Sequence, residues 1–240
     1  MIAVTGATGA LGGRVLRGLS DRAVPLRAVV RDAARAPQLP GVEIVENPGG
    51  YADGAGLTAA LRGVHTVYLV SAAEDENRLD QHFAAVDAAA AAGVQRIVYT
   101  SFVGARPDAA FTLVRQHHAT EERIRATGIP HTILRHSMYA DFVPFFATIE
   151  GDGAVIAAPA GEGRTGFVSR DDLADVGVAV LLRGEGALDG QALDVTGPEA
   201  LTMAEAAAVL SVPAGTVKSR TFYALRALKL ALEERGVTSP

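Results

Sequence analysis

The chain has 240 residues, of which 49% are hydrophobic and 20% charged, with a net charge of −5 and no cysteine. This composition is typical of a globular protein, and the lack of cysteine excludes disulfides and thiolate chemistry. The acidic balance argues against non-specific nucleic-acid binding by the body of the protein, and no apolar run reaches transmembrane length. We expect one sizeable α/β domain in a cytoplasmic protein without a membrane partner.

Strand-like and helix-like patterns alternate through the first two thirds of the chain. Short, continuously apolar runs predict parallel strands at Ile2–Thr5, Leu26–Val30, Glu43–Val45, Thr66–Val70, Arg96–Thr100 and His131–Leu134. Helical patterns cover Leu11–Ser20, Ala55–Leu61, Asn77–Ala92, Phe111–Thr127 and Ser169–Leu182. This alternation predicts an α/β fold with a doubly wound parallel sheet, the Rossmann architecture of dinucleotide-binding proteins.

Composition divides the chain into three predicted segments. Residues 1–135 carry the regular alternation and predict the NAD(P)-binding core. Residues 136–211 begin with a stretch rich in aromatics, Gly and Pro, which predicts a small substrate lobe interleaved with the core. Residues 212–240 hold five basic residues against two glutamates, a net of +3 that leaves −8 for the rest. This reversal of sign predicts a basic helical tail with a role of its own.

A glycine-rich turn separates the first predicted strand from the first predicted helix, with the spacing G-x-x-G-x-x-G. Glycines allow backbone N–H groups to approach a pyrophosphate, and the helix N-terminus adds a partial positive charge. We expect Gly12 to belong to this cofactor site and to permit close packing between helix and strand. The predicted cofactor contacts come from the backbone of Gly6, Thr8, Gly9, Ala10 and Leu11.

The second predicted strand ends at Arg31, where NAD-binding proteins usually place an acidic side chain. An arginine at this point pairs with a 2′-phosphate instead, which predicts NADP as the cofactor. Arg35 would assist, and Arg14 lies nearby on the first predicted helix. The alternative is a shift of one residue, which would present Asp32 and favour NAD.

The ends of two further strands deliver polar groups toward a bound dinucleotide. Ser71 and Ala72 follow the fourth strand and are predicted to line the cofactor. Ser101 follows the fifth strand, either as a donor to substrate or nicotinamide or as a structural cap. His117 and His118 lie on the next helix and are candidate catalytic residues, with an ordinary surface role as the alternative. They face about 100° apart, so no metal site is predicted.

Aromatic residues cluster just after the regular alternation ends. Tyr139, Phe142 and Phe145, with Phe146, are predicted to form an apolar pocket for a small-molecule acceptor. Packing within the lobe explains the same residues equally well.

The ordered motifs TGATGALGG, VVRD, LRGVHTVYLVS, AAAAGVQRIVYTS and GFVSRDDLADV resemble the NmrA-like, atypical branch of the short-chain dehydrogenase/reductase superfamily. The resemblance covers about residues 1–211 and is strongest to the NAD(P)H:quinone oxidoreductase subgroup. It implies an NADP-binding Rossmann domain with a small C-terminal lobe. Some members of this group reduce quinones, and others only sense the redox state of the dinucleotide.

Two departures from the superfamily affect what the resemblance implies. Its Tyr-x-x-x-Lys pair would fall near Val114 and His118, so the usual proton donor and its lysine are missing. Direct passage of hydride to an acceptor such as a quinone is then implied, because quinone oxygens take protons from water. Gly50 stands where relatives commonly carry an acidic residue that contacts adenine. Either Asp53 takes part of that role or the adenine contacts are weaker.

Residues 201–237 also resemble the helix-turn-helix of sigma factor region four. Helices at Met203–Leu210 and Gly215–Arg235 would flank a turn, and the second helix would enter a major groove. The DNA-contacting residues would be Thr216, Lys218, Ser219 and Arg220. The alternative is an amphipathic helix that docks on the protein or pairs two subunits in a homodimer.

These observations predict an NADPH-dependent oxidoreductase that passes hydride to a quinone or a similar conjugated carbonyl. The alternative is a non-catalytic NADP-sensing regulator that contacts DNA through the basic tail.

Overall fold

A parallel β-sheet organises the computed structural model, which describes residues 1–150, 153–156, 160–184 and 186–210. In these ranges the strands are β1 (Ile2–Thr5), β2 (Leu26–Val30), β3 (Val42–Glu46), β4 (Thr66–Leu69), β5 (Arg96–Phe102), β6 (His131–His136), β7 (Ala147–Glu150), β8 (Gly153–Ile156) and β9 (Gln191–Val195). The described sheet has the order β3-β2-β1-β4-β5-β6-β9, and all its pairs are parallel. The strand order reverses at β1, which opens a crevice for ligands at the carboxyl ends of the strands.

Helices cover the sheet in two layers. The described helices are α1 (Ala10–Ser20), α2 (Gly54–Leu61), α3 (Arg78–Ala91), α4 (Thr112–Ala126), α5 (Arg170–Leu182) and α6 (Met203–Val209). α1 packs against α5, while α3 packs against both α2 and α4. Side chains alternate along β4, so Val67 and Leu69 join the core with α2 and α3, whereas Tyr68 lies against Gly177 of α5.

The predicted doubly wound parallel sheet is confirmed. Each strand and helix predicted up to residue 182 is present, and its ends differ by at most two residues. β9 was not predicted from the sequence. It is an edge strand whose residues are exposed or half-buried, so it lacks the continuous apolar run that marks a central strand.

The chain forms two compact units. The first contains Met1–His136 and Arg170–Val195, so α5 and β9 belong with the sheet and not with the predicted lobe. The described residues of the second lie in the ranges 137–169 and 196–210. Within the second unit, β7 and β8 form an antiparallel hairpin, and a small core brings Val143 together with Ala206 and Ala207 of α6.

Candidate functional site

A cleft of about 410 Å³ opens at the carboxyl ends of β1, β2 and β4. Its walls come from the turn after β1, the end of β2, the segment after β3 and the loop after β4. The predicted cofactor residues that line it are Gly6, Thr8, Gly9, Arg31, Ser71 and Ala72. In the described structure the cleft is not lined by four others from that prediction, which are Ala10, Leu11, Gly12 and Ser101.

The glycine turn has the shape and the free donors that a pyrophosphate requires. Gly6 has a φ of +60°, a conformation that glycine adopts without strain. Gly9 is the N-cap of α1, and in the described chain no side chain caps the helix there. The first N–H groups of a helix have no partner within it, so those of α1 are available to a ligand. A Cβ on Gly12 would overlap the carbonyl of Gly6, which agrees with the close packing predicted there. The turn therefore fits an anionic diphosphate.

Arg31, and not Asp32, lines the cleft. The Asp32 carboxylate accepts a hydrogen bond of 2.9 Å from the N–H of Ala34 and caps a one-turn helix. The exposed Arg31 side chain runs past Gly50, where a Cβ would come within 3.2 Å of the Arg31 Cδ. The missing side chain at Gly50 thus leaves room for Arg31 along the cleft.

Three other charged residues considered for this site have different roles. Arg14 forms an ion pair with Asp171 of α5. Asp53 accepts a 2.9 Å hydrogen bond from the N–H of Gly56 and caps α2, so its carboxylate serves the helix and does not line the cleft. Arg35 ends the one-turn helix after β2 and also does not line the cleft in the described structure.

Two buried side chains hold the cleft wall at Ala72. The Arg78 Nε donates a 2.9 Å hydrogen bond to the Ala72 carbonyl, and the Ala72 N–H donates one of 2.9 Å to the His82 Nε2. The N–H of Ser71 donates to the Thr100 hydroxyl at 2.8 Å. Both polar groups of Ala72 are therefore fixed from α3, and the loop after β4 is rigidly placed.

The same two side chains belong to a larger network, the Arg78 cluster, formed by Arg78, His82, Tyr99, His117 and Thr120. Because His82 accepts at Nε2, its proton is on Nδ1, which lies 2.9 Å from the Thr120 hydroxyl. The Arg78 guanidinium donates to the His117 Nε2 at 2.9 Å, so the His117 Nδ1 carries a proton and donates to the Tyr99 hydroxyl at 2.9 Å. Both histidines are therefore neutral.

Burial and the nearby guanidinium both lower the pKa values of these histidines. Burial, with the charge of Arg78 as the second cause, lowers the pKa of His82 from 6.5 to about 3. The same two causes lead the shift of His117, whose pKa falls to about 2. His117 is 3% exposed and uses both ring nitrogens inside the protein, so the geometry gives it a positioning role. His118 is half-buried and remains a predicted catalytic residue.

Ser101 belongs to a second network, the Glu121 cluster, formed by Ser101, Glu121, Arg125 and Arg135. The buried Ser101 hydroxyl donates a 2.6 Å hydrogen bond to Glu121, and Arg135 donates two more to the same carboxylate at 2.6 and 2.9 Å. Burial raises the pKa of Glu121, but these hydrogen bonds and the charge of Arg135 outweigh it and hold the pKa below its usual value. The hydroxyl proton of Ser101 is thus engaged with Glu121.

Sequence reasoning missed Arg78, His82 and Glu121. Arg78 and His82 are one helical turn apart on α3 and lie on its buried face with Ala85 and Ala89. Charged or titratable residues in the apolar stripe of an alanine-rich helix are a usable signal, because such groups are buried only when they have partners.

In the second unit the aromatic residues form a short stack. Tyr139 and Phe142 are nearly parallel, with ring centroids 5.6 Å apart, and Phe145 lies 6.2 Å beyond Phe142. Phe145 is 80% exposed. Part of this aromatic surface is therefore accessible and is not used up by packing.

The predicted DNA-contacting residues Thr216, Lys218, Ser219 and Arg220 lie outside the described residues. The first helix of the predicted helix-turn-helix is described and is α6. It begins with a capping box between Thr202 and Glu205 and packs its alanines into the core of the second unit. In the described ranges no helix is long and apolar enough to cross a membrane, and no group of three or more His, Asp or Glu could hold a metal ion.

Comparison with known proteins gives consistent matches along the chain. The model of the NmrA-like family matches residues 1–233, so most of the tail is matched as part of this family and the sigma-factor resemblance gains no support. Quinone oxidoreductase 2 of Escherichia coli (strain K12) is 33% identical over 243 residues, covering 100% of this chain and 83% of that protein.

Two solved structures show the same fold. Triphenylmethane reductase of Citrobacter sp., complexed with NADP(H), has a TM-score of 0.78 and 34% identity, covering 90% of this chain and 79% of the other. The NADPH complex of the quinone oxidoreductase from Escherichia coli has a TM-score of 0.78 and 31% identity, covering 99% of this chain and 84% of the other. The glycine turn and the parallel sheet agree with these matches, and the chain belongs to the NmrA-like family.

Proposed function

We propose that this protein is an NADPH-dependent oxidoreductase that passes hydride to a quinone or a similar conjugated carbonyl. The observation that carries the proposal is the cleft, which combines an uncapped glycine turn with the exposed side chain of Arg31. Its similarity to quinone oxidoreductase 2 and to a triphenylmethane reductase complexed with NADP(H) supports the same cofactor and a conjugated acceptor.

The residues of this chain bind and orient the cofactor. The glycine turn would hold the pyrophosphate, Arg31 the 2′-phosphate, and the wall at Ser71 and Ala72 the adjoining part of the molecule. When bound, NADPH supplies the hydride. The Ser101 hydroxyl and the His117 ring already donate their protons within the protein, so neither is a ready acid for the product.

A quinone is a suitable acceptor for a site in which Ser101 and His117 already donate their protons within the protein. Hydride addition turns the quinone ring into a hydroquinone anion, which takes its proton from water without a positioned acid. A simple ketone would develop a basic alkoxide that needs such an acid. Tyr139, Phe142 and Phe145 are the surface that we propose for the acceptor, because exposed aromatic rings stack on planar conjugated molecules.

Titration of the protein with NADPH and NADH tests the cofactor assignment. We expect NADPH to bind about 10- to 100-fold more tightly, the worth of charge-assisted hydrogen bonds to the 2′-phosphate. Arg31→Ala should remove this preference without changing the Kd for NADH, whereas the matched control Arg35→Ala should keep it. Equal affinities in the wild type would overturn the assignment.

Steady-state oxidation of NADPH with a panel of quinones tests the activity. We expect turnover, with Phe142→Ala raising the KM for the quinone and leaving the Kd for NADPH unchanged. Tight NADPH binding without turnover of any acceptor would rule out the enzyme function while leaving the cofactor site intact.

A further inference from the structure

Arg78 carries a buried positive charge that no carboxylate of the described chain contacts. It is 1% exposed, and its hydrogen-bond partners are neutral: the Ala72 carbonyl, the Gln116 amide oxygen and the His117 ring. Glu74 and Asp75 attract it only at longer range. A buried charge without a contacting counter-charge is costly to a fold, so its position requires an explanation.

The position of Arg78 relates it to the cofactor cleft. It hydrogen-bonds Ala72, which lines the cleft just after β4. In the sheet β4 is next to β1 on one side, and β2, which ends at Arg31, is next to β1 on the other. Each strand next to β1 therefore leads to one wall of the cleft, with Arg31 after β2 and Ala72, to which Arg78 donates, after β4.

We propose that Arg78 is a positioning residue for the dinucleotide, and that its buried charge attracts the pyrophosphate across the Ala72 wall. The inference rests on the proposed function. Arg78 fixes the carbonyl of Ala72, and His82 fixes the N–H of the same residue, so side chains of the protein itself hold the wall in place. A buried charge is weakly screened, so it acts on a diphosphate that it does not touch.

The variants Arg78→Met and Arg78→Lys separate charge from packing. Methionine removes the charge, and we expect it to raise the Kd for NADPH about tenfold. Lysine keeps the charge but loses the planar fork, and we expect a rise of less than about threefold together with a lower Tm. A residue that only braced the loop through its fork would lose binding equally in both variants.

Arg96 supplies a matched control. It is also 1% exposed, but it starts β5 at the opposite end of the sheet and lies 3.5 Å from the carboxylate of Asp189. Arg96→Met should lower the Tm and leave the Kd for NADPH unchanged. As a second probe, 2′-AMP lacks the pyrophosphate, so its Kd should not change in Arg78→Met but should rise in Arg31→Ala.

Salt and folding provide the remaining checks. The loss of NADPH affinity in Arg78→Met should persist in 0.5 M NaCl, whereas that of the exposed Arg31→Ala should shrink. If Arg78→Met does not fold, Arg78→Lys is decisive, because a tenfold loss of NADPH affinity there would contradict the role of charge.

The two proposals fail in different ways. A wild-type protein that does not bind NADPH would end the proposed function, and this inference with it. A wild type that binds NADPH, with an unchanged Kd in Arg78→Met, would end this inference alone.

Discussion

Two buried polar clusters share α4, and they treat charge in opposite ways. In the Arg78 cluster a cation donates to neutral groups, and the cluster also contains two neutral histidines. In the Glu121 cluster a fully buried carboxylate accepts hydrogen bonds from Ser101, Arg125 and Arg135. The first cluster contacts the cleft wall through Ala72, while the second ties α4 to β5 and β6. The compensated charge serves the fold, and the uncompensated one lies where an anionic ligand would use it.

The clusters also differ in how they respond to acid. The histidines of the Arg78 cluster are neutral when folded and take up protons once they unfold, because their folded pKa values lie far below 6.5. The carboxylate of the Glu121 cluster is charged when folded, and its pKa lies below the usual 4.5. As the pH falls, the Arg78 cluster therefore begins to lose its contribution to stability at a higher pH than the Glu121 cluster does.

Removing the carboxylate should have the largest effect on stability. Glu121→Ala removes the carboxylate to which Arg135 and Ser101 both donate, so we expect a loss of about 3–5 kcal/mol in the free energy of unfolding. Urea denaturation followed by circular dichroism measures it. The exposed neighbour Glu122→Ala should change stability by no more than about 0.5 kcal/mol. A loss below about 1 kcal/mol in Glu121→Ala would contradict the role given to this cluster.

The change of stability with pH should be smaller than the effect of Glu121→Ala, and above pH 5 it should come from the buried histidines. A group whose folded pKa is lowered contributes stability that is complete above its unfolded pKa and is lost as the pH falls below it. Between pH 6.5 and 5 the buried His82 should therefore lower the free energy of unfolding by about 2 kcal/mol. His82→Gln should reduce the change in unfolding free energy over this interval by that amount.

Urea titrations at pH 7, 6 and 5 measure this difference. His117 and His136, whose pKa values burial also lowers, should keep part of the dependence in the variant. Glu121→Gln is the control, since its carboxylate titrates at lower pH and the slope above pH 5 should not change. An unchanged slope in His82→Gln would mean that this histidine is not neutral and buried as described.

The fold and the cleft could be predicted because short-range patterns encode them. The apolar runs, the glycine turn and the end of β2 at Arg31 each lie within a few residues of chain. The clusters could not be predicted, since His82 and Thr120 are 38 residues apart and Arg78 and His117 are 39 apart. Ser101 and His117 were predicted as candidate catalytic residues, but the sequence does not show that their protons go to partners inside the protein.

Ser101→Ala gives the smallest effect and separates the two roles considered for this residue. If the hydroxyl serves Glu121, the variant loses one hydrogen bond to a buried charge, about 1–2 kcal/mol in the free energy of unfolding, and the Kd for NADPH stays the same. If it serves the reacting groups, kcat for quinone reduction should fall by about 100-fold or more. Ser101→Thr keeps a hydroxyl and should restore most of the lost stability. Because the hydroxyl already lies 2.6 Å from Glu121, we expect the change in stability and an almost unchanged kcat.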